Sequence, residues 1–185
     1  MPMSALSVTL PLSAESAVSL RAGDMLRLNG ILYTARDAAH KRLIAQLRQG
    51  ILSAVPLAGQ VIYYVGPAPA REDQVIGPAG PTTSGRMDPY TLPLLEMGVK
   101  GFIGKGYRSP EIKEALVRHQ AIYMAAIGGA AALLARHIKK SRIIAYEDLG
   151  AEAVRELLVE DFPVIVVNDT LGHDAYEAGK ERYAK

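Results

Sequence analysis

Gly101-Phe102-Ile103-Gly104-Lys105-Gly106-Tyr107-Arg108-Ser109-Pro110 reads as a strand that ends at a glycine-flanked cation and then starts a helix. Ser109 is a good N-cap and Pro110 a good first helical residue. Outward from this stretch the same beat recurs. Helix 88–97 precedes strand 99–103, and helix 109–119 precedes strand 121–127. Helix 129–139 then precedes strand 142–147, and helix 150–158 precedes strand 163–168. A further strand is predicted over 60–65. Short apolar runs set between helical segments predict parallel strands buried on both faces. Residues 170–185 are polar and read as a tail or a terminal helix.

The N-terminal third has a different pattern. Residues 7–12 read as a short strand. Asn29-Gly30 lies between Met25-Leu26-Arg27-Leu28 and Ile31-Leu32-Tyr33-Thr34, which predicts a β-hairpin and antiparallel structure. Ala39, Leu43, Ile44 and Leu47 then recur at helical spacing over 37–49, and Gly50 supplies the stop. The expected architecture is one α/β domain over residues 1–185. A hairpin-rich layer with one helix occupies about 1–60, and alternating β/α structure with a mostly parallel sheet follows over about 61–170.

Composition narrows the function. The 185 residues carry a net charge of only +2, with basic and acidic side chains interspersed and no Trp, so no basic, aromatic surface for nucleic acid is visible. The absence of cysteine excludes disulfides, thiol catalysis and any metal cluster held by this chain's own thiolates. Met1-Pro2-Met3-Ser4-Ala5-Leu6 has no signal-peptide pattern, and the apolar run Ala121–Ala135 is too short to span a bilayer. A cytoplasmic location with no membrane partner is expected.

The most informative loop is Gly77-Pro78-Ala79-Gly80-Pro81-Thr82-Thr83-Ser84-Gly85-Arg86-Met87-Asp88. It offers three hydroxyls and a guanidinium and runs into a helix whose N-cap is expected to be Asp88. Helix-start amides, hydroxyl donors and arginine together describe an anion site. Lys105, flanked by Gly104 and Gly106, offers a second cation at the end of a strand, where open α/β sheets bind ligands. It does not belong to a P-loop. Val99 stands where the first glycine is required, and Gly106 where Ser or Thr is required. His40, four residues after Arg36, is a catalytic or a structural histidine by spacing alone. No metal-ligand spacing occurs.

Five segments carry a family resemblance. They are Tyr33–Arg42 (YTARDAAHKR), Gly80–Asp88 (GPTTSGRMD), Ile103–Gly106 (IGKG), Glu147–Gly150 (EDLG) and Asp161–Pro163 (DFP). In this order and at this spacing they resemble the β subunit, or C-terminal domain, of iron–sulfur hydro-lyases, namely class I fumarate hydratase and L-tartrate dehydratase. The resemblance implies a swivelling β/β/α domain. It also implies a separate, cysteine-bearing α subunit that holds a [4Fe-4S] cluster, in a heterodimer or heterotetramer.

The implied reaction is reversible hydration of fumarate to L-malate, a step of the tricarboxylic acid cycle. Alternatives are a β subunit acting on L-tartrate or another C4 dicarboxylate, and a dicarboxylate-binding module without catalysis. By the resemblance Arg36, Arg86, Lys105, Thr83 and Gly104 bind substrate. Thr82 is the proton-abstracting candidate, with His40 competing for that role. Gly85-Arg86-Met87-Asp88 looks more like the fumarases than the tartrate dehydratases. His173 stands where the family pattern has Asn.

Overall fold

A computed structural model describes residues 5–184; the expectation for Met1–Ser4 lies outside the described residues. Seven strands form one sheet: β1 (Leu6–Thr9), β2 (Met25–Thr34), β3 (Val61–Tyr63), β4 (Gly101–Gly104), β5 (Ile122–Ala125), β6 (Ile138–Ala145) and β7 (Val154–Asn168). β2, β3, β4 and β5 run parallel to one another. β7 is antiparallel to β5, to β6 and to β2. The pairing of β7 with β2 closes β2-β3-β4-β5-β7 into a five-strand mixed barrel, leaving β1 and β6 outside it.

Closure divides the apolar side chains between two faces, because successive residues of a strand point to opposite sides. Val61, Tyr63, Ile103, Ile122, Met124, Leu157 and Val166 share one core with Leu26 and Leu28. Ile62, Tyr64, Phe102, Tyr123 and Val167 face the other way. They pack beneath helices α2 (Asp37–Arg48), α3 (Asp88–Glu96) and α4 (Pro110–Arg118). Two shorter helices, α1 (Ala14–Ser19) and α5 (Ala131–Arg136), and the terminal α6 (Ala175–Tyr183) complete the chain. Among the described residues no helix is long and apolar enough to cross a membrane.

Three sequence expectations are corrected. Asn29-Gly30 is not a hairpin turn: it lies inside one ten-residue strand, where the register against β7 shifts between Leu28 and Gly30. This is a bulge, and Gly30 takes φ 124° with the Leu10 carbonyl close against it. Turn chemistry and bulge chemistry both call for Asn-Gly. Here β1 and β7, on the two edges of β2, supply the pairing that a hairpin would have supplied locally.

The helix expected over 150–158 is also absent. A 3-10 segment over Glu147–Glu152 gives way to the 15-residue strand β7. One edge of β7 pairs with β2, while the other serves β6 through Val154–Val159 and β5 through Ile165–Asn168. That double burial overrides the helical propensity of Glu152–Leu158. In consequence the C-terminal half is not a mostly parallel sheet, because its last two strands run antiparallel.

Candidate functional site

The four parallel strands end together. Arg36 follows β2, Gly66 follows β3, Lys105 follows β4 and Gly128 follows β5. Between the ends of β3 and β4 the loop inserts Thr82-Thr83-Ser84. The Thr82 amide donates to the Tyr64 carbonyl (2.7 Å), the Lys105 amide to the Thr82 carbonyl (3.1 Å) and the Ser84 amide to the Lys105 carbonyl (2.8 Å). Thr83 and Lys105 thereby form a parallel bridge, which places the hydroxyl loop and the lysine side by side.

Ser84 is the hydroxyl that cannot face a ligand. It is fully buried and donates to the Tyr123 hydroxyl (2.9 Å), which itself donates to the Gly106 carbonyl (2.8 Å). Burial pushes the Tyr123 phenol well above its ordinary range, so it remains a donor. One tyrosine therefore ties both halves of the site. Gly104 contributes its missing side chain, since a Cβ there would overlap Ser84 Oγ and stand 2.9 Å from Tyr64 Cδ2. Thr82 is half-buried, and Thr83 and the Lys105 side chain are exposed.

The arginines meet across the first turn of α2. Arg86 reaches Asp37 with both Nε (3.1 Å to Oδ1) and Nη2 (to Oδ2). Arg36 Nη2 lies 3.6 Å from the same Oδ2 and 3.8 Å from Glu152 Oε1. The other oxygen of Glu152 accepts the Ala38 amide at 2.7 Å, capping α2, whose own N-cap residue Arg36 has no capping side chain. Burial pushes the Asp37 carboxyl up, but the hydrogen bonds from Arg86, the backbone amide and the charges of Arg86 and Arg36 together outweigh it and hold the group below its ordinary value. Gly66 makes room for Arg36, because a Cβ there would stand 2.9 Å from Nη1 and 3.0 Å from Cδ.

His40 lies beneath this array. It is fully buried, stacked on Tyr90 and edge-on to Tyr64. Its Nδ1 sits 2.8 Å from the Arg36 carbonyl, so that nitrogen carries the proton. Nε2 has no partner among the described residues. Burial pushes the imidazole down to about 4, partly offset by the bond to Arg36 and reinforced by the Arg108 charge. At neutral pH His40 is an uncharged prop under the Arg36 backbone.

Arg108 is a feature the sequence reading missed. Its guanidinium is buried and donates to Asp88 (2.6 Å), the Tyr64 hydroxyl (3.2 Å) and Thr91 Oγ1 (2.6 Å), flanked by the rings of Tyr64, Phe102 and Tyr123. The second oxygen of Asp88 accepts the Ser109 amide at 2.8 Å. Asp88 is therefore not the N-cap of α3. A 3-10 turn over Ser84–Met87 leads into the helix, Asp88 already has helical dihedrals, and its carboxylate is turned toward Arg108. Nothing local in the sequence marked Arg108, because its partners Asp88, Tyr64 and Thr91 lie 17 to 44 residues away along the chain.

Of the other histidines, His173 is exposed and paired with Asp169 at 2.8 Å, and His137 lies 3.0 Å from the Glu160 carbonyl. Among the described residues no group of His, Asp and Glu is arranged to hold a metal ion, and the chain has no cysteine. The assembled groups are thus two arginines, one lysine and two threonine hydroxyls at one end of the barrel. Such a set suits an anion with more than one carboxylate.

Comparison with known proteins fits this geometry. A family model described as the fumarase C-terminus matches residues 3–179. Fumarate hydratase 2 of Leishmania major is 40% identical over 157 residues, covering 83% of this chain and 28% of that protein. The aerobic class I fumarate hydratase of Escherichia coli K12 is 38% identical over 154 residues, covering 82% and 28% respectively. A Methanocaldococcus jannaschii protein named "Putative L(+)-tartrate dehydratase subunit beta" is 35% identical over 181 residues, covering 94% of this chain and 93% of that protein. The chain therefore spans only 27–34% of the fumarate hydratases it matches, but nearly all of the β subunit. With the family match running over almost its whole length, the chain belongs to the fumarase C-terminus family.

Proposed function

We propose that this chain is the β-type half of a hydro-lyase that interconverts fumarate and L-malate, completed by a separate α-type chain. The observation that carries this reading is that the Thr82–Arg86 loop is bridged to Lys105 after β4 through Thr83 and meets Arg36, after β2, at Asp37. The swivelling β/β/α architecture implied by the family resemblance belongs to the same proposal, as does a cytoplasmic location. A [4Fe-4S] cluster does not fit this chain, which has neither thiolates nor a metal-binding group among its described residues. It belongs on the partner, where it would supply Lewis-acid polarisation of the substrate hydroxyl.

The role of this chain's residues follows from charge. Dehydration of malate breaks a C–H bond alpha to one carboxylate and the C–O bond beside the other. As the proton leaves, negative charge accumulates on the carboxylate next to the carbanionic carbon. Fixed cations aimed there stabilise the transition state more than the ground state. Arg36, Arg86 and Lys105 fill that role, and Arg86 binds in the plane of a carboxylate. Thr82 is favoured over His40 for the proton transfer. Thr82 is only half-buried, whereas His40 is fully buried and bonded to the Arg36 carbonyl. A threonine hydroxyl is a weak base alone, so a neighbour must take up its proton. Thr83 adds a hydroxyl donor, and Gly104 acts by leaving the loop room.

A second reading is a β subunit of an L-tartrate dehydratase, favoured by the whole-length match to the M. jannaschii protein. The two substrate classes separate in one experiment. The chain is coexpressed anaerobically with a cysteine-bearing α-type chain from the same genome, and turnover is compared on fumarate, L-malate and L-tartrate. Oxygen-sensitive hydration of fumarate by the complex, with none by either chain alone, is the expected result. Tight dicarboxylate binding by this chain alone with no turnover in any complex would instead make it a non-catalytic binding module.

A further inference from the structure

The pairing of Arg86 with Asp37 has a direction. Arg86 engages the carboxylate through Nε and Nη2, the side edge of the guanidinium. The end edge, made of Nη1 and the second Nη2 proton, makes no hydrogen bond among the described residues, and the side chain remains half exposed. A guanidinium has five donors in a fixed plane, so a carboxylate on the side edge sets where the end edge points. Asp37 also lies near Arg36 Nη2, and Glu152 is near the same nitrogen. The result is an alternating row, Glu152–Arg36–Asp37–Arg86, in which Asp37 separates two cations. Its own position is fixed because it is the first residue of α2, where the helix dipole favours a negative charge.

We propose that Asp37 is a positioning residue that presents the end edge of Arg86, and the adjacent Arg36, to a substrate carboxylate. This rests on the hydro-lyase reading for the identity of the ligand, a C4 dicarboxylate. Asp37 touches no substrate. It removes the rotamer freedom that Arg86 would otherwise lose on binding, and it keeps the two guanidiniums from repelling each other in the empty site. An ordinary surface ion pair would contribute little and would leave ligand affinity unchanged.

The test uses the assembled complex with its α-type partner and measures the dissociation constants of fumarate, L-malate and L-tartrate by calorimetry, alongside KM and kcat. Asp37→Ala and the isosteric Asp37→Asn are each expected to weaken dicarboxylate binding about tenfold or more and to raise KM by a similar factor. Complex assembly and the melting temperature should be retained, and Asp37→Glu should recover most of the affinity. Wild-type affinity in both Asp37→Ala and Asp37→Asn would overturn the positioning role. A wild-type complex that binds dicarboxylates without turning them over removes the hydro-lyase reading while the affinity comparison still decides on Asp37. One that binds none of the three overturns both.

Discussion

Ser84 Oγ occupies the space that a side chain at position 104 would need, and Gly104 is the residue that leads β4 into Lys105. The hydroxyl loop and the lysine strand are therefore interlocked by one missing methyl group. Gly104→Ala should force Ser84 off the Tyr123 hydroxyl and push Thr82-Thr83 away from Lys105. Overpacking of this kind costs about 1–3 kcal/mol. Urea unfolding should show that loss, and ligand affinity should fall with it. A Gly104→Ala protein with wild-type stability and affinity would show that the loop is free to move.

The buried imidazole of His40 makes stability pH-dependent in a defined window. Its folded-state value of about 4 lies below the ordinary 6.5, so between these values the unfolded chain binds the extra proton. Stability from this group is fully present above pH 6.5, is lost as the pH falls toward 4, and is flat below that. The span corresponds to roughly 3 kcal/mol. Urea midpoints measured from pH 4 to 7 should rise with pH in the wild type, and His40→Gln should flatten the profile. An unchanged slope in the variant would assign the effect to other groups.

Arg108 is a buried charge with a matched partner, and removing one member should be worse than removing both. Arg108→Met leaves the Asp88 carboxylate without its charged partner, a loss of about 3–5 kcal/mol, while the Thr91 hydroxyl keeps its bond to the Met87 carbonyl. Adding Asp88→Leu should recover part of it, because the uncompensated charge disappears. The double-mutant cycle is read from urea midpoints, and simple additivity of the two single changes would contradict a coupled pair.

Gly66→Ala separates ligand binding from folding. The added methyl meets Nη1 and Cδ of Arg36, parts of a side chain that can move aside, and stands 3.3 Å from the Ala151 carbonyl, which must give slightly. Stability should therefore change by no more than about 1 kcal/mol. Displaced Arg36 should nevertheless weaken dicarboxylate binding severalfold, as read by calorimetry on the assembled complex. Equal affinity in wild type and variant would detach Arg36 from the site.

Much of this site was legible in sequence because its groups sit where a strand hands over to a loop. Gly104-Lys105-Gly106 and the Thr82–Arg86 hydroxyl loop announce themselves locally, and so do the Ser109 cap of α4 and the Gly50 stop of α2. What was missed depends on pairing between distant segments. Asn29-Gly30 serves a turn or a bulge equally well, and only β7 decides between them. Residues 154–158 have a helical composition that two flanking strands override. Spacing left His40 catalytic or structural and gave no reading of Arg108, because the rings of Tyr64, Tyr90, Phe102 and Tyr123 that close around them come from distant segments. Gly66 carried the same strand-then-glycine signal as Gly104, but no charged neighbour in sequence drew notice to it.

On the proposed function, Arg36, Arg86 and Lys105 of this chain hold the substrate of an active site shared with the partner. Arg86→Ala in the anaerobically assembled complex tests it most directly, with kcat/KM for fumarate hydration and subunit assembly by sedimentation measured on the same preparation. Intact assembly is expected, with kcat/KM reduced by about a hundredfold or more, in the range found when one transition-state donor is removed. Wild-type kcat/KM in the assembled Arg86→Ala complex, or full hydration by the purified wild-type chain without a partner, would contradict it.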